Sequence, residues 1–380
     1  MPIYKSPGVY LEPVFLKPEA RLVTGVPGFV GFAGGVVNKP ISLHRKDEFA
    51  TLFTARPESF LADAVAGFFD NGGTRCYVVS ADASPSKAPL DSLTSAVASL
   101  GPLTDLDLVA IPDAMSLADE TTREVAQRRV LEHCAAHGNR LAILDAHPAA
   151  TTAKVLAQRN NLTVGQVEPV DGALYYPWVR LSRSPASGET LQSVPPCGHV
   201  AGVFSRTDAR IGVFKAPANE EVLGVLDLDV DVDVDAQNEL NPEGVNCLRA
   251  FPGRGIRVWG ARTLSRQPEW RYVSVRRLFL TLRRWIDMNM TWAAFEPNGP
   301  RLWVRINREL TAYLTNLWQS GAMAGGAPNE AFYVKCDAET NPADSRDAGR
   351  VITEIGLAPS APSEFVVVRI IHREAAPATT

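Results

Sequence analysis

Apolar residues recur along this chain with two periods, and the way these alternate predicts an α/β protein. Residues 28–35 (GFVGFAGG) read as a small-residue strand, and 76–80, 106–111 and 140–144 read as short, almost wholly apolar strands. Between them Leu61, Ala64, Val65 and Phe68 recur at helical spacing, with Asn71-Gly72-Gly73 as the stop. Helices are also predicted over 121–137 and 151–160. Strands alternating with helices favour a mostly parallel sheet covered on its faces. Residues 224–235 show strict alternation, with Asp227, Asp229, Asp231, Asp233 and Asp235 against Leu and Val. That pattern predicts a strand with one carboxylate face and one aliphatic face.

The pattern changes after residue 250. Tyr272, Val275, Phe279, Leu282 and Ile286 make one helical stripe, and Trp303, Ile306, Leu310, Tyr313, Leu314 and Leu317 make another. The turn between them is Glu296-Pro297-Asn298-Gly299-Pro300. A Gly-rich loop follows, and then a strand over 331–336. Arg276, Arg277, Arg283 and Arg284 fall outside the first stripe, so this module is expected to present a basic surface. The whole is α/β (α+β overall): a central α/β domain over 21–250 and a C-terminal α+β domain over 251–358.

The two ends have a different character. Pro2, Pro7, Pro13 and Pro18 forbid a helix over residues 1–20, leaving Val9, Tyr10 and Leu11 as a strand too short to stand alone. Beyond Pro359 and Pro362, residues 359–380 contain Phe365, Val366, Val367, Val368, Ile370 and Ile371, apolar on both strand faces. Such a strand templates aggregation unless it is covered. Both ends are therefore expected to act as arms that add strands to a sheet elsewhere.

Composition narrows the function. With 380 residues, 46% hydrophobic and 21% charged, the chain has enough for two domains with a sizeable core. A formal net charge of −4 argues against whole-chain nucleic-acid binding. The five cysteines, Cys76, Cys134, Cys197, Cys247 and Cys336, show no metal or redox spacing. No apolar run is long enough to span a bilayer, and the first residues lack a signal peptide's apolar segment, so no direct membrane insertion is expected.

Candidate chemistry is sparse. His133 and His137 are four apart with Cys134 between and His147 nearby, a spacing that can bind zinc. Their helix ends at Gly138, however, where histidines commonly face exposed carbonyls, and no Glu is placed as a base. The run from Asp227 to Asp235 lacks the glycine turns that wrap calcium, and a solvated or partner-facing strip fits it better. Phosphate loops and a nucleophile elbow are absent, Gly253-Arg254-Gly255 being a lone G-x-G. The competing class is an α/β enzyme or ligand-binding domain using Asp113, Asp145 and His147 at strand C-termini. No catalytic, cofactor or metal residue is assigned.

Several long words occur in one order along the chain: YKSPGVYLE (residues 4–12), NGG (71–73), VPPCGHVAGVFSRTD (194–208), IGVFKAPAN (211–219), GRGIRVWGARTL (253–264), WRYVSVRR (270–277), FEPN (295–298), LW (302–303) and EAFYVKCD (330–337). Together they resemble the contractile tail sheath family of myophage tails and related bacterial contractile injection systems. The resemblance touches almost the whole chain and leaves no room for the extra outward domains of many phage sheaths. It implies a non-enzymatic subunit without cofactors that polymerises with copies of itself around an inner tube protein. It further implies baseplate and terminator or cap partners, no nucleic acid, and assembly in the bacterial cytoplasm into a particle released by lysis. On that basis Val9, Tyr10, Leu11 and the strand from Phe365 to Ile371 are the expected inter-subunit strands. Arg276, Arg277, Arg283 and Arg284 are the expected tube- or sheath-facing surface. A sheath-like baseplate or cap component is the alternative within the family.

Overall fold

The computed structural model describes residues 22–84, 86–182 and 191–364. The first part of the chain builds β1 (Pro27–Gly34), β2 (Ile41–Leu43), α1 (Glu48–Leu52), β3 (Thr54–Ala55), α2 (Leu61–Asp70), β4 (Cys76–Ala81), α3 (Pro89–Ala98) and β5 (Leu108–Ala110). The second continues with α4 (Glu120–His137), β6 (Leu141–Asp145), α5 (Thr152–Thr163) and β7 (Gly172–Tyr176). The ends of α4 follow local chemistry. Asp119 caps α4 by accepting the Thr122 amide at 2.8 Å, and Gly138 ends it in the left-handed region at φ 60°. Then come β8 (Val179–Ser182), β9 (Leu191–Val194), α6 (Cys197–Arg210), β10 (Glu220–Glu221), β11 (Asp227–Leu228), α7 (Val234–Leu240), β12 (Val245–Phe251) and β13 (Gly255–Trp259).

These strands form a large sheet in the order β10-β13-β12-β7-β6-β5-β1-β4-β2, with β3 paired to β1. The six central strands, β4-β1-β5-β6-β7-β12, run parallel, and β13, β10 and β2 close the edges antiparallel. Period-two alternation sends Val30, Val79, Val109 and Leu144 to one face, where α3, α4 and α5 cover them. Phe29, Val78, Leu108 and Ile143 point to the other face, under α2 and α6. The mostly parallel sheet is as expected, but it extends through Trp259. The sheet thus continues past residue 250, because β13 is the hairpin partner of β12.

The alternating Asp run is not a long strand. Only Asp227 and Leu228 pair, with β8, and Asp233 caps α7 by accepting the Ala236 amide at 2.8 Å. Asp is a poor strand former and a good helix cap, so the local side-chain bond wins over the alternation. The aliphatic side still turns inward, with Leu228 and Val232 buried. On the acidic side Asp229 accepts from Arg180 at 2.9 Å and from the Ser193 hydroxyl.

The C-terminal module comprises α8 (Val273–Asn289), α9 (Pro300–Gln319), α10 (Pro328–Ala331), β14 (Phe332–Lys335), α11 (Ala343–Asp347) and β15 (Glu354–Leu357). The expected stripe of α9 is its buried face: Trp303, Ile306, Leu310 and Leu314. By contrast, α8 is buried on two sides. Val273 and Leu280 join the core under the large sheet, whereas Leu278 and Leu282 join the module's own core with Leu314 and Phe332. This helix joins the two parts of the molecule.

Candidate assembly surface

The strand ends proposed for a ligand are already occupied by the protein's own helices. The chain turns from β4 to β5 across β1, which places the topological switch point at the C-termini of β1 and β5. Asp113 sits there, accepting the Phe32 amide at 2.5 Å, the Ser59 hydroxyl at 2.6 Å and the Phe60 amide at 2.6 Å, at the start of α2. Gly31 makes this possible, since a Cβ there would lie 2.6 Å from Asp113 Oδ2. Burial pushes the Asp113 carboxyl up to about 6, against those three hydrogen bonds. Asp145 accepts the Cys197 amide at 2.8 Å at the first turn of α6, and burial pushes its carboxyl up to about 7. His147 is buried, with Nε2 3.3 Å from Glu124. Asp113 and Asp145 thus accept amides at the starts of α2 and α6, and His147 sits against Glu124 of α4.

The His133 and His137 rings lie with centroids 4.5 Å apart and planes tilted by 52°, and Arg140 Nη1 lies 3.1 Å from His133 Nε2. Burial, with the charge of Arg140 beside it, lowers His133 to about 3. No group of three His, Cys, Asp or Glu able to hold a metal occurs among the described residues.

The arginines of α8 do not form the expected basic surface. Arg277 and Arg284 are each only 2% exposed. Arg277 donates to Asp208 through Nη1 at 2.8 Å and Nη2 at 2.6 Å, and to Asp107 through Nη2 at 2.8 Å. Burial disfavours its charge, but Asp208 and Asp107 outweigh that and hold its pKa above the usual arginine value. Arg276 grips Asp171 at 2.5 and 3.1 Å and stacks over Trp270. Arg284 donates to the Val23 carbonyl at 3.0 Å. Of the four, only Arg283 is exposed. The reason is that α8 crosses the N-terminal ends of the sheet strands, where Asp107 and Asp171 precede β5 and β7. Asp107 also accepts the Gly25 and Val26 amides, at 3.0 and 2.7 Å, so one buried ion cluster ties the root of the N-terminal segment to the C-terminal module.

The module's sheet has two strands among the described residues. β14 and β15 pair antiparallel from Phe332–Leu357 to Lys335–Glu354. Below the sheet lie Leu314 and Phe332, and above it Tyr333 is 58% exposed with its ring over Gly356. Any Cβ at Gly356 would lie 2.0 Å from Tyr333 Cε1. After β15 the chain returns along the Gly-rich loop, with Ala324 N donating to Ala358 O and Ser360 N to Ala322 O. It is then pinned by Glu364, which takes the Arg262 guanidinium at 3.0 Å from Nε and again from Nη2. A two-stranded sheet on one helix layer leaves a row of main-chain donors and acceptors open on each outer edge.

This architecture has close counterparts among known proteins. Residues 91–264 match the family model described as the phage tail sheath protein central domain, and residues 265–373 match the phage tail sheath C-terminal domain. The chain belongs to the contractile tail sheath family. This sheath chain is 30% identical to a chain in the helical sheath of the anti-feeding prophage in its contracted state, with a TM-score of 0.76 over 97% of this chain and 99% of that one. It is 29% identical to a chain in the anti-feeding prophage baseplate, also with a TM-score of 0.76, over 98% and 100%. A putative prophage major tail sheath protein of Pseudomonas aeruginosa (strain UCBPP-PA14) is 26% identical over 59% of this chain and 55% of its own length. The sheath chain spans about half or less of the curated relatives it matches.

The expected arm residues, Val9, Tyr10, Leu11, Phe365, Val366, Val367, Val368, Ile370 and Ile371, lie outside the described residues. Sequence reasoning missed Asp107, Asp171 and Asp208, as well as the Arg262–Glu364 pair and β15. A lone acid at the head of an apolar strand, as in Leu106-Asp107-Leu108 and Val170-Asp171-Gly172, was the available signal for the first two.

Proposed function

We propose that this chain is the repeating subunit of a contractile sheath whose β14–β15 sheet is completed by strands from neighbouring copies. The observation that supports it is the two-stranded sheet, open on both outer edges among the described residues, within the part matched by the sheath C-terminal domain. Val9, Tyr10 and Leu11 of one neighbour and the strand from Phe365 to Ile371 of another supply the missing strands. Main-chain hydrogen bonds give the augmented sheet its strength, and apolar side chains set its register.

Polymerised around an inner tube protein and joined to baseplate and cap proteins, the sheath stores its energy in inter-subunit contacts. Contraction exchanges those contacts and drives the tube without a catalytic step. The particle is a phage tail or tail-like injection machine, assembled in the bacterial cytoplasm and released by lysis. Arg283, the exposed member of the arginine group, is the candidate contact to tube or sheath. Reversing its charge is expected to weaken tube co-assembly at low salt. Unchanged co-assembly would remove it from that role.

Deleting residues 1–12 tests the arm. The truncated chain is expected to fold, with an unchanged circular dichroism spectrum, yet to form no sheath particles under negative-stain microscopy. Normal sheaths from that chain would refute the strand exchange. The likeness to a baseplate chain supports a second reading, a sheath-like baseplate or cap component, which the same micrographs separate by particle length.

A further inference from the structure

The β12–β13 hairpin gathers arginines around aromatic rings. Arg249 and Arg257 are register partners, so both side chains stand on one face with their Cβ atoms about 5 Å apart. Arg249 and Arg254 each lie over the Phe251 ring, at 5.5 and 5.7 Å, and that ring is 4.6 Å from Trp259. No carboxylate pairs with these three arginines among the described residues. Arg254 donates to Asn219 Oδ1 at 2.8 Å, and Arg257 to the carbonyls of Arg254 and Asn219 at 3.0 and 2.7 Å. Glu221, opposite Arg257 on β10, lies over Gly255, where a Cβ would come within 2.8 Å of its Oε1. Arg249 Nε is buried with no hydrogen-bond partner among the described residues. Like charges directly opposite on paired strands destabilise them, and a buried donor left unmade is costly. Both call for carboxylates from outside the hairpin.

We propose that this hairpin docks on the acidic strip of a second copy, formed by Asp231, Asp233, Asp235 and Glu239. Charge complementarity selects that occupant. All four side chains are exposed, and none forms an ion pair among the described residues. Asp235 and Glu239 are four apart on α7 and so share one helix face. This is the acidic run that the fold spends only in part, on one strand pairing and one helix cap. A single exposed ion pair contributes little, but three guanidiniums against four carboxylates form a network, and charge arrays of opposite sign fix orientation and speed encounter. Hairpin and strip are different patches, so the contact is heterologous and can propagate from copy to copy. The inference rests on the reading of the chain as a repeating subunit, and adds a contact that the exchanged strands do not provide.

Sedimentation velocity on the full-length chain tests it. The parent is expected to self-associate at low salt and to do so about tenfold more weakly at high salt. Arg249→Glu/Arg257→Glu should abolish that association, and so should Asp231→Lys/Asp235→Lys/Glu239→Lys. Mixed together, the two variants should associate again, because each supplies the charge that the other has lost. Arg249→Gln/Arg257→Gln should also lose association while keeping the parent's melting temperature, since facing cations are removed and no ion pair within the chain is broken. Four results overturn the proposal: no salt-sensitive association in the parent, association retained by the hairpin variants, association retained by the strip variant, or a mixture that stays dissociated. Failure of the sheath reading looks different. There the parent associates in this salt-sensitive way, yet forms no sheath under negative-stain microscopy.

Discussion

Replacing Arg277 with Met gives the sharpest test of how the two parts of the molecule are joined. Met keeps most of the aliphatic volume beside Phe204, over which the guanidinium stacks at 5.0 Å. What is lost is three charge-assisted hydrogen bonds, leaving Asp107 and Asp208 buried and close together with one shared cation fewer. Breaking a buried pair by removing one partner typically costs about 3–5 kcal/mol. The cost has a ceiling, because one carboxylate can take up a proton instead. From an ordinary Asp value of about 3.9, protonation at about pH 7 costs roughly 4 kcal/mol, and at about pH 5 roughly 1.5 kcal/mol. The penalty for Arg277→Met is therefore expected to fall by more than half between those two pH values, and Arg277→Met/Asp208→Asn should recover part of it at the higher pH. The assay is denaturant unfolding of unassembled chain, followed by tryptophan fluorescence and far-UV circular dichroism at both pH values. A penalty below about 1 kcal/mol that ignores pH, combined with lost particle formation, would refute the buried role and return Arg277 to an assembly surface.

Three further outcomes follow from the same geometry. Burial pushes Asp145 up to about 7, above its unfolded value, so the native state binds the extra proton between about pH 4 and about pH 7. Stability from that carboxyl is present at low pH and lost as pH rises through about 7. Asp145→Asn keeps an acceptor for the Cys197 amide, and its melting temperature relative to the parent should climb steadily over that window. A difference independent of pH would contradict the burial argument. Gly356→Val places a side chain where Tyr333 lies, and is expected to displace that ring and loosen the β14–β15 pair, seen as faster amide exchange over 332–335 with the large sheet unaffected. Glu364→Gln should release the pinned C-terminal root, speeding exchange of the Ser360 amide while leaving the sheet core protected. Unchanged Ser360 exchange would show that Arg262 does not hold that root.

Helices α2, α4, α5 and α9 and strands β1, β4, β5 and β6 were legible because they rest on local patterns, such as Asp119 and Gly138 bounding α4 and the stripe of α9. The long family words made the family visible from the residues alone. The acidic run failed because an alternating Asp pattern has two local solutions, and Asp233 takes the cap. Periodicity also marked α8 as a helix but could not state how many neighbours it has. Its arginines read as a basic surface because an isolated helix shows only its own residues, and the carboxylates that neutralise Arg276 and Arg277 lie over 60 positions away or more. Bringing Asp107, Asp171 and Asp208 to one helix is a consequence of sheet order and helix packing, which no window of sequence contains. What the sequence determined was the main helices and strands and the family. The tertiary structure alone decided that the basic helix is an internal joint between the chain's two parts.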